Sequence, residues 1–356
     1  MKQAKELNFE GQAIYCGIDV HKKSWSVCIR DDKMELNTFS QPADTEVLIN
    51  YLQQNFPRAD YHVVYEAGFS GFGLQRILSG QGMDCIITHP ADVPTSDKEQ
   101  RKKTDKVDCR KLARNLSEGS LEKIYIPSER MVDERGIVRA RQQLIRDQTR
   151  CKNRILSWLD FHGISIPEGY KQSSRFSKRF ITWLEELTLT PEARKSLQLL
   201  VEGVKFIRQQ LLQALRHLKE LSRAEHNEKQ VSLLRSIPGI GLINAMVILT
   251  EMGDIRRFKN LDHLCSYIGL TPDIYSTGET RIVKGITPRH NHSLREALVE
   301  SSWCIIRKDA ALLMAYKKYV KRMHPNKAII KVAKSLASRI RFVLLNQVEY
   351  VTNRLE

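Results

Sequence analysis

The stretch AIYCGIDVHKKSWSVCIR, residues 13–30, decides the fold of the N-terminal part of the chain. An apolar, β-branched run is followed by a polar turn and a second apolar run, which predicts two paired strands. Further strand and helix signals alternate after it. They are a third strand in DDKMELNTFSQ, a helix opening at Asp44 in DTEVLINYLQQNF, strands in DYHVVYEA and DCIITHP, and helices in GFGLQRILSGQG and KVDCRKLARNLSEG. Residues 10–125 are therefore predicted to form an α/β domain.

The rest of the chain is predicted to be mostly helical. Apolar residues between 129 and 228 recur at steps of three and four, as in LQLLVEGVKFIRQQLLQALRHLKEL, which indicates two long helices with shorter ones between them. These helices fit an antiparallel pair, an oligomer-forming coiled coil or a bundle within one chain, and the pattern leaves these open. A third unit, residues 230–350, begins at LLRSIPGIG and ends in a basic helical tail.

Charge points to nucleic acid as the partner. The 356 residues carry a formal net charge of +16 and have a pI of about 9.5. Nine lysines and arginines and no acids lie between residues 310 and 347. A clustered positive charge of this size favours a polyanion, with nucleic acid first and an acidic membrane surface second. The seven cysteines stand singly, and neither a signal peptide nor an apolar membrane span is evident, so a cytoplasmic protein is expected.

Four carboxylates in the α/β part predict a metal site. Asp19 lies inside the first strand, Glu66 ends the strand HVVYE, and Asp105 and Asp108 are three residues apart on a predicted helix. Converging carboxylates repel one another unless cations lie between them, and oxygen ligands suit Mg²⁺ or Mn²⁺. Acids at these places in one α/β unit match the ribonuclease-H-like arrangement, in which metal ions assist phosphodiester chemistry.

Two further motifs lie in the third unit. Pro238, Gly239 and Gly241 form a predicted hairpin between two helices, similar to a helix-hairpin-helix module that holds DNA through phosphates. Ser276 stands in a predicted polar turn, followed by Arg281 and Lys284. Spacing alone assigns no role to this serine, because serine and glycine are ordinary turn residues.

Together, GIDVHKKSWSVCI, VVYEAG, KTDKVDCRKLARNL and the region from SIPGIGLINA to LREALVESSW resemble a DEDD transposase of bacterial insertion sequences. This is insertion sequence family 110, the family of bridge-RNA-guided recombinases related to the Piv invertase. The resemblance implies a RuvC-like domain that binds Mg²⁺ through Asp19, Glu66, Asp105 and Asp108. It also implies that Ser276 forms a transient 5′-phosphoserine link to DNA.

The resemblance further implies that donor and target DNA, a guide RNA and a homodimer or homotetramer are the partners, with the helical middle as a dimerisation arm. Where many relatives have SSG this chain has STG, which favours Ser276 as the nucleophile. Where relatives usually have Gly-Asn, this chain has His290 and Asn291, and where they usually have a lysine, it has Pro288. Residues expected to contact nucleic acid are Arg101, Lys102, Lys103, Lys106, Pro238, Gly239, Gly241, Arg281 and Lys284.

Two alternative functions stay open at this point. A RuvC-type Holliday-junction endonuclease would use the four acids with metal-activated water and would not need Ser276. A non-catalytic DNA-binding protein would use only the basic tail and the PGIG hairpin.

Overall fold

The computed structural model describes residues 8–95, 104–170, 172–277 and 280–352, with the backbone alone at 173, 273–277 and 280–284. The chain divides into two compact units, residues 1–126 and 127–356. Within the described residues, no helix has both the length and the apolar character that crossing a bilayer requires.

The first unit contains a mixed five-stranded sheet with the order β3-β2-β1-β4-β5. β2 runs antiparallel to both β1 and β3, whereas β4 runs parallel to β1 and β5. The predicted α/β character and each predicted strand are confirmed. The elements are β1 (Ala13–Val20), β2 (Ser24–Arg30), β3 (Glu35–Pro42), α1 (Thr45–Asn55), β4 (Asp60–Glu66), α2 (Gly73–Gly80), β5 (Asp84–Thr88) and α3 (Asp105–Ser117).

Local signals explain these elements. Asp44 begins α1, where its side chain accepts a hydrogen bond from the Glu46 amide, as the acidic start predicted. The central strands are apolar on both faces: Ile14, Ile18 and Val63 are buried against α1 and α2, while the opposite face lies under α3. A sheet covered on both sides needs continuous apolar strands, which is the pattern that the sequence shows.

The second unit is mostly helical. Its helices are α4 (Glu129–Phe161), α5 (Lys178–Glu186), α6 (Pro191–Arg223), α7 (Glu225–Ser236), α8 (Leu242–Met252), α9 (Leu261–Ile268), α10 (His292–Ile305), α11 (Ala310–Val320) and α12 (Pro325–Asn346). Short 3₁₀ turns occur at Pro90–Asp92, Gln172–Ser174 and Ile255–Arg257.

The two long helices, α4 and α6, pack antiparallel within the chain. Trp158 near the end of α4 donates to Ser196 near the start of α6, and Glu134 near the start of α4 contacts His226 just after α6. One end of the pair encloses a separate apolar core with α5, which includes Ile155, Phe180 and Val201. At the other end, α4 and α6 join the core of the C-terminal helices.

The structure corrects the prediction for the segment around Ser276. Ser276 was predicted to stand in a short polar turn, but it lies in the strand β6 (Pro272–Thr277), which pairs antiparallel with β7 (Thr280–Ile286). Ser276 is paired with Arg281 near the end of β6. The prediction missed these strands because the glycine and polar residues within DIYSTGETRIVKG suggest a loop. A two-stranded ribbon forms through main-chain hydrogen bonds between its strands, which composition does not reveal.

Candidate active site

The parallel pairing of β1 and β4 brings Asp19 and Glu66 to one edge of the sheet. Ile18 and Tyr65 form the last register pair, and each carboxylate is the next residue of its strand. Both are half-buried. Because the strands run in the same direction, their carboxyl ends coincide, so two acids separated by many residues in sequence become neighbours.

Gly17 determines how closely α3 approaches this edge. A Cβ at Gly17 would lie 2.3 Å from the Cys109 carbonyl oxygen and 2.4 Å from the Ala113 nitrogen, distances shorter than real Cβ contacts. Glycine therefore permits the close packing of α3 on β1. Since alternate strand residues share a face, Asp19 points to the same side as Gly17 and faces α3.

The first turn of α3 supplies the other two carboxylates. Asp105 is exposed and Asp108 is half-buried, and their spacing of three places them on one side of the helix. Acidic side chains are favourable in a first turn, because the helix dipole is positive there. The four predicted acids thus come together at the sheet edge beneath α3.

His21 joins two of these acids and was missed by sequence reasoning. Its Nε2 lies 3.1 Å from Asp19 Oδ2 and 3.6 Å from Asp105 Oδ2. One ligand atom from each of the three residues lies within 4.8 Å of the others, which is a spacing that a single cation can bridge. The available signal was the DVH motif, in which a histidine follows the strand acid by two residues.

Lys111 joins the other two acids. Its Nζ lies 3.1 Å from Asp108 Oδ1 and 3.8 Å from Glu66 Oε1, and its side chain is only 9% exposed. Lys111 is therefore engaged with carboxylates of the cluster. Arg110 of the same helix is also engaged with an acid, because its guanidinium donates hydrogen bonds to Glu35.

The cluster is electrostatically strained. Burial raises the pKa of Asp19, the Asp105 and Asp108 carboxylates raise it further, and His21 partly offsets both effects. The ionised cluster is therefore costly without additional positive charge. Four carboxylates with one imidazole are a donor set that suits Mg²⁺ or Mn²⁺, so these residues fit the predicted metal.

The structure describes the other predicted site residues only in part. Lys106 is exposed on α3, while Arg101, Lys102 and Lys103 lie outside the described residues. Ser276, Arg281 and Lys284 belong to the ribbon of the second unit, where only the backbone is described.

A buried ionic network lies beside the ribbon and was also missed. Glu251 of α8 is fully buried, and its carboxylate accepts hydrogen bonds from Arg139 at 2.7 and 2.9 Å and from Asn291 at 2.9 Å. Burial raises the pKa of Glu251, but these hydrogen bonds outweigh it, so the pKa lies below its ordinary value. Asn291 also caps α10, accepting from the Leu294 amide. The network thus ties the chain after the ribbon to α4 and α8.

The PGIG segment connects α7 and α8, as predicted. Gly239 has a φ of +94°, and a Cβ there would lie 2.9 Å from both the Ile305 nitrogen and the Ser301 carbonyl oxygen of α10. Glycine is therefore needed for the turn and for packing against α10. Pro238 is half-buried, and Gly241 is exposed immediately before α8.

A basic groove of about 720 Å³ runs along α12 and reaches the start of β6 at Pro272. Lys331 lies over the Tyr319 ring, 5.3 Å from its centroid, and Lys334 pairs with exposed Asp262 at 2.8 Å. Cationic and hydroxyl groups along one groove are the groups that bind phosphate oxygens. The lining residues are Leu261, Leu270, Pro272, Tyr319, Ile330, Lys331, Lys334, Ser335, Ser338 and Arg339.

Comparisons with known proteins place both units in one family. The profile described as "Transposase IS116/IS110/IS902 family" matches residues 231–318, and a second transposase profile matches residues 16–164. The chain is 30% identical over 296 residues to the predicted transposase y4qE of Sinorhizobium fredii, covering 81% of this chain and 71% of that protein. It is 26% identical over 294 residues to the transposase for insertion sequence element IS1111A of Coxiella burnetii, covering 81% and 79%. The chain therefore belongs to the IS116/IS110/IS902 family of DEDD transposases, which are enzymes of insertion sequences that act on DNA.

Proposed function

We propose that this transposase cuts and rejoins DNA through a covalent link to Ser276, with the DEDD cluster as its metal site. The observation that carries the proposal is the convergence of Asp19, Glu66, Asp105 and Asp108 from three separate elements on one edge of the sheet. The order of that sheet supports the RNase H/RuvC-like assignment of the domain. The profile match over 231–318 supports the assignment of the serine region.

The proposed reaction has two balanced transfers. The Ser276 Oγ attacks a phosphodiester phosphorus, loses its proton and forms a 5′-phosphoserine, while the 3′ oxygen leaves and takes up a proton as a 3′ hydroxyl. A 3′ hydroxyl of another strand then attacks this phosphoserine, which restores the serine. The phosphoester keeps the bond energy, so rejoining needs no nucleotide cofactor. A bound divalent cation would stabilise negative charge on the reacting phosphate.

Several surfaces are proposed to hold DNA phosphates. They include the basic groove, the PGIG segment as a helix-hairpin-helix element, and the predicted contacts Arg101, Lys102, Lys103, Lys106, Arg281 and Lys284. The exposed backbone at Gly241 supports the hairpin, because helix N-termini present amides to anions. The cationic lining supports the groove, which begins beside the strand that carries Ser276.

The double variant Lys331→Glu/Lys334→Glu is expected to weaken DNA binding about tenfold or more at moderate salt. Because each lost phosphate contact removes about 0.9 from the slope of log affinity against log salt, the slope should fall by nearly 2. Fluorescence anisotropy at several salt concentrations measures both quantities. The control Lys178→Glu/Lys195→Glu makes the same charge change at exposed sites on α5 and α6. Equal losses in both variants would mean that net charge, and not the groove, governs binding.

The proposed partners also include a second copy of the chain and a guide RNA. Leu199, Phe206 and Leu212 are 59–71% exposed on α6, which supports a role for the helical arm in a homodimer or homotetramer. The net charge of +16 supports binding of RNA as well as of donor and target DNA.

The reaction itself is tested with labelled DNA that carries the ends of the element, together with the RNA transcribed beside them. A complete mixture containing Mg²⁺ is expected to give an adduct of protein and DNA that survives SDS, and EDTA or omission of the RNA should abolish it. An adduct that persists in EDTA would disprove the metal requirement, and one that forms without RNA would disprove guidance. Free ends without an adduct indicate a Holliday-junction endonuclease, and binding without cleavage indicates a non-catalytic DNA-binding protein.

A further inference from the structure

Lys111 occupies a position in the acidic cluster that a second metal ion would need. Its ammonium lies 3.1 Å from Asp108 and 3.8 Å from Glu66, while one ligand atom from each of Asp19, His21 and Asp105 lies within 4.8 Å of the others. The Lys111 nitrogen thus faces Glu66 and Asp108, and the His21 nitrogen faces Asp19 and Asp105.

We propose that Lys111 is a fixed cation of the site, so that the cluster takes a single divalent ion, bound on the side of Asp19, His21 and Asp105. This inference rests on the proposed function, because it concerns the same metal site. It adds that the Lys111 ammonium, and not a second metal ion, neutralises the negative charge of Glu66 and Asp108.

The surroundings of Lys111 hold its ammonium in place. The side chain is nine-tenths buried on α3, and its helix backbone is packed against β1 through Gly17. A buried ammonium is stable only beside anionic partners, so moving it away from both carboxylates would leave its charge buried without them. A divalent ion near Glu66 and Asp108 would either displace this ammonium or be repelled by its positive charge.

His21, unlike Lys111, favours binding of the ion next to Asp19 and Asp105. About half of its side chain is exposed, and its Nε2 already faces both Asp19 and Asp105. A neutral imidazole nitrogen is a metal ligand, whereas an ammonium has no lone pair to offer. Asp105 is also exposed, so an ion can reach this group from solvent.

Binding of Mn²⁺ alone to the full chain tests the inference. Wild-type protein is titrated with Mn²⁺, and the free ion is followed by electron paramagnetic resonance. We expect a single bound Mn²⁺ for the wild type and a second one for Lys111→Met, because the variant lacks the ammonium charge that repels a divalent ion beside Glu66 and Asp108. The melting temperature of Lys111→Met without metal should also fall, and Mn²⁺ should restore more of it than in the wild type.

Two further variants keep the result interpretable. Lys33→Met removes an exposed lysine between β2 and β3 of the same unit and should keep a single Mn²⁺. If circular dichroism shows that Lys111→Met is unfolded, Lys111→Gln removes the charge and retains hydrogen-bonding groups. A wild type that binds two ions, or folded Lys111 variants that bind only one, would overturn the inference and leave the proposed function intact. A wild type that binds no Mn²⁺ would overturn both.

Discussion

Ser276→Ala is expected to eliminate the covalent adduct between protein and DNA while DNA binding stays unchanged. Alanine lacks the oxygen that would bond to phosphorus, so no phosphoserine can form. Loss of a nucleophile reduces turnover by at least about a thousandfold in enzymes that use covalent catalysis. The adduct is measured on SDS gels with labelled DNA, and binding is measured by fluorescence anisotropy.

Thr277→Ala provides the matched control, since it removes the neighbouring hydroxyl from the same strand. This variant should retain the adduct, because the STG motif contains only one serine. Wild-type levels of adduct in Ser276→Ala would refute the serine nucleophile. Loss of the adduct with undiminished strand cutting in Ser276→Ala would instead favour the endonuclease that uses water.

Asp19→Asn is expected to abolish strand cleavage without lowering the stability of the metal-free protein. The amide removes a central negative ligand, and losing about 4 kcal/mol of transition-state stabilisation corresponds to about a thousandfold loss of rate. Burial and the nearby Asp105 and Asp108 carboxylates raise the pKa of Asp19, so its charge costs free energy in the folded state. The melting temperature in EDTA should therefore stay the same or rise.

Asp60→Asn makes the same chemical change at the exposed start of β4, the opposite end of the strand from Glu66. Cleavage by this control should match the wild type. Full cleavage by Asp19→Asn would remove the basis for the metal site. A marked drop in its melting temperature without metal would show that Asp19 serves the fold instead.

Much of the fold was predictable because its signals are local. The apolar runs around Asp19 and Glu66 predicted strands, Asp44 predicted a helix start, and the steps of three and four between 129 and 228 predicted long helices. The β6–β7 ribbon was not predicted, because its residues have turn-like composition and its strands depend on pairing with each other.

Of the residues in the candidate site, the sequence predicted only the four acids. Carboxylates within or at the end of apolar strands are unusual enough to stand out. Glu251 had the same kind of signal inside the apolar helix segment MVILTEM but was overlooked. His21 and Lys111 looked like ordinary surface residues, since nothing in a sequence of mixed charges distinguishes a lysine that faces solvent from one that faces carboxylates.

The sequence by itself determined the types of element, the positive charge, the four acids and the family resemblance, because each depends on residue types and short motifs and not on distances between segments. Tertiary structure alone decided how the acids are grouped. Parallel pairing aligned the ends of β1 and β4, and the absent side chain at Gly17 let α3 lie against the sheet. That approach directed Lys111 inward to Glu66 and Asp108 and left His21 with Asp19 and Asp105. Distances between segments far apart in the chain set these pairings, and only packing fixes such distances.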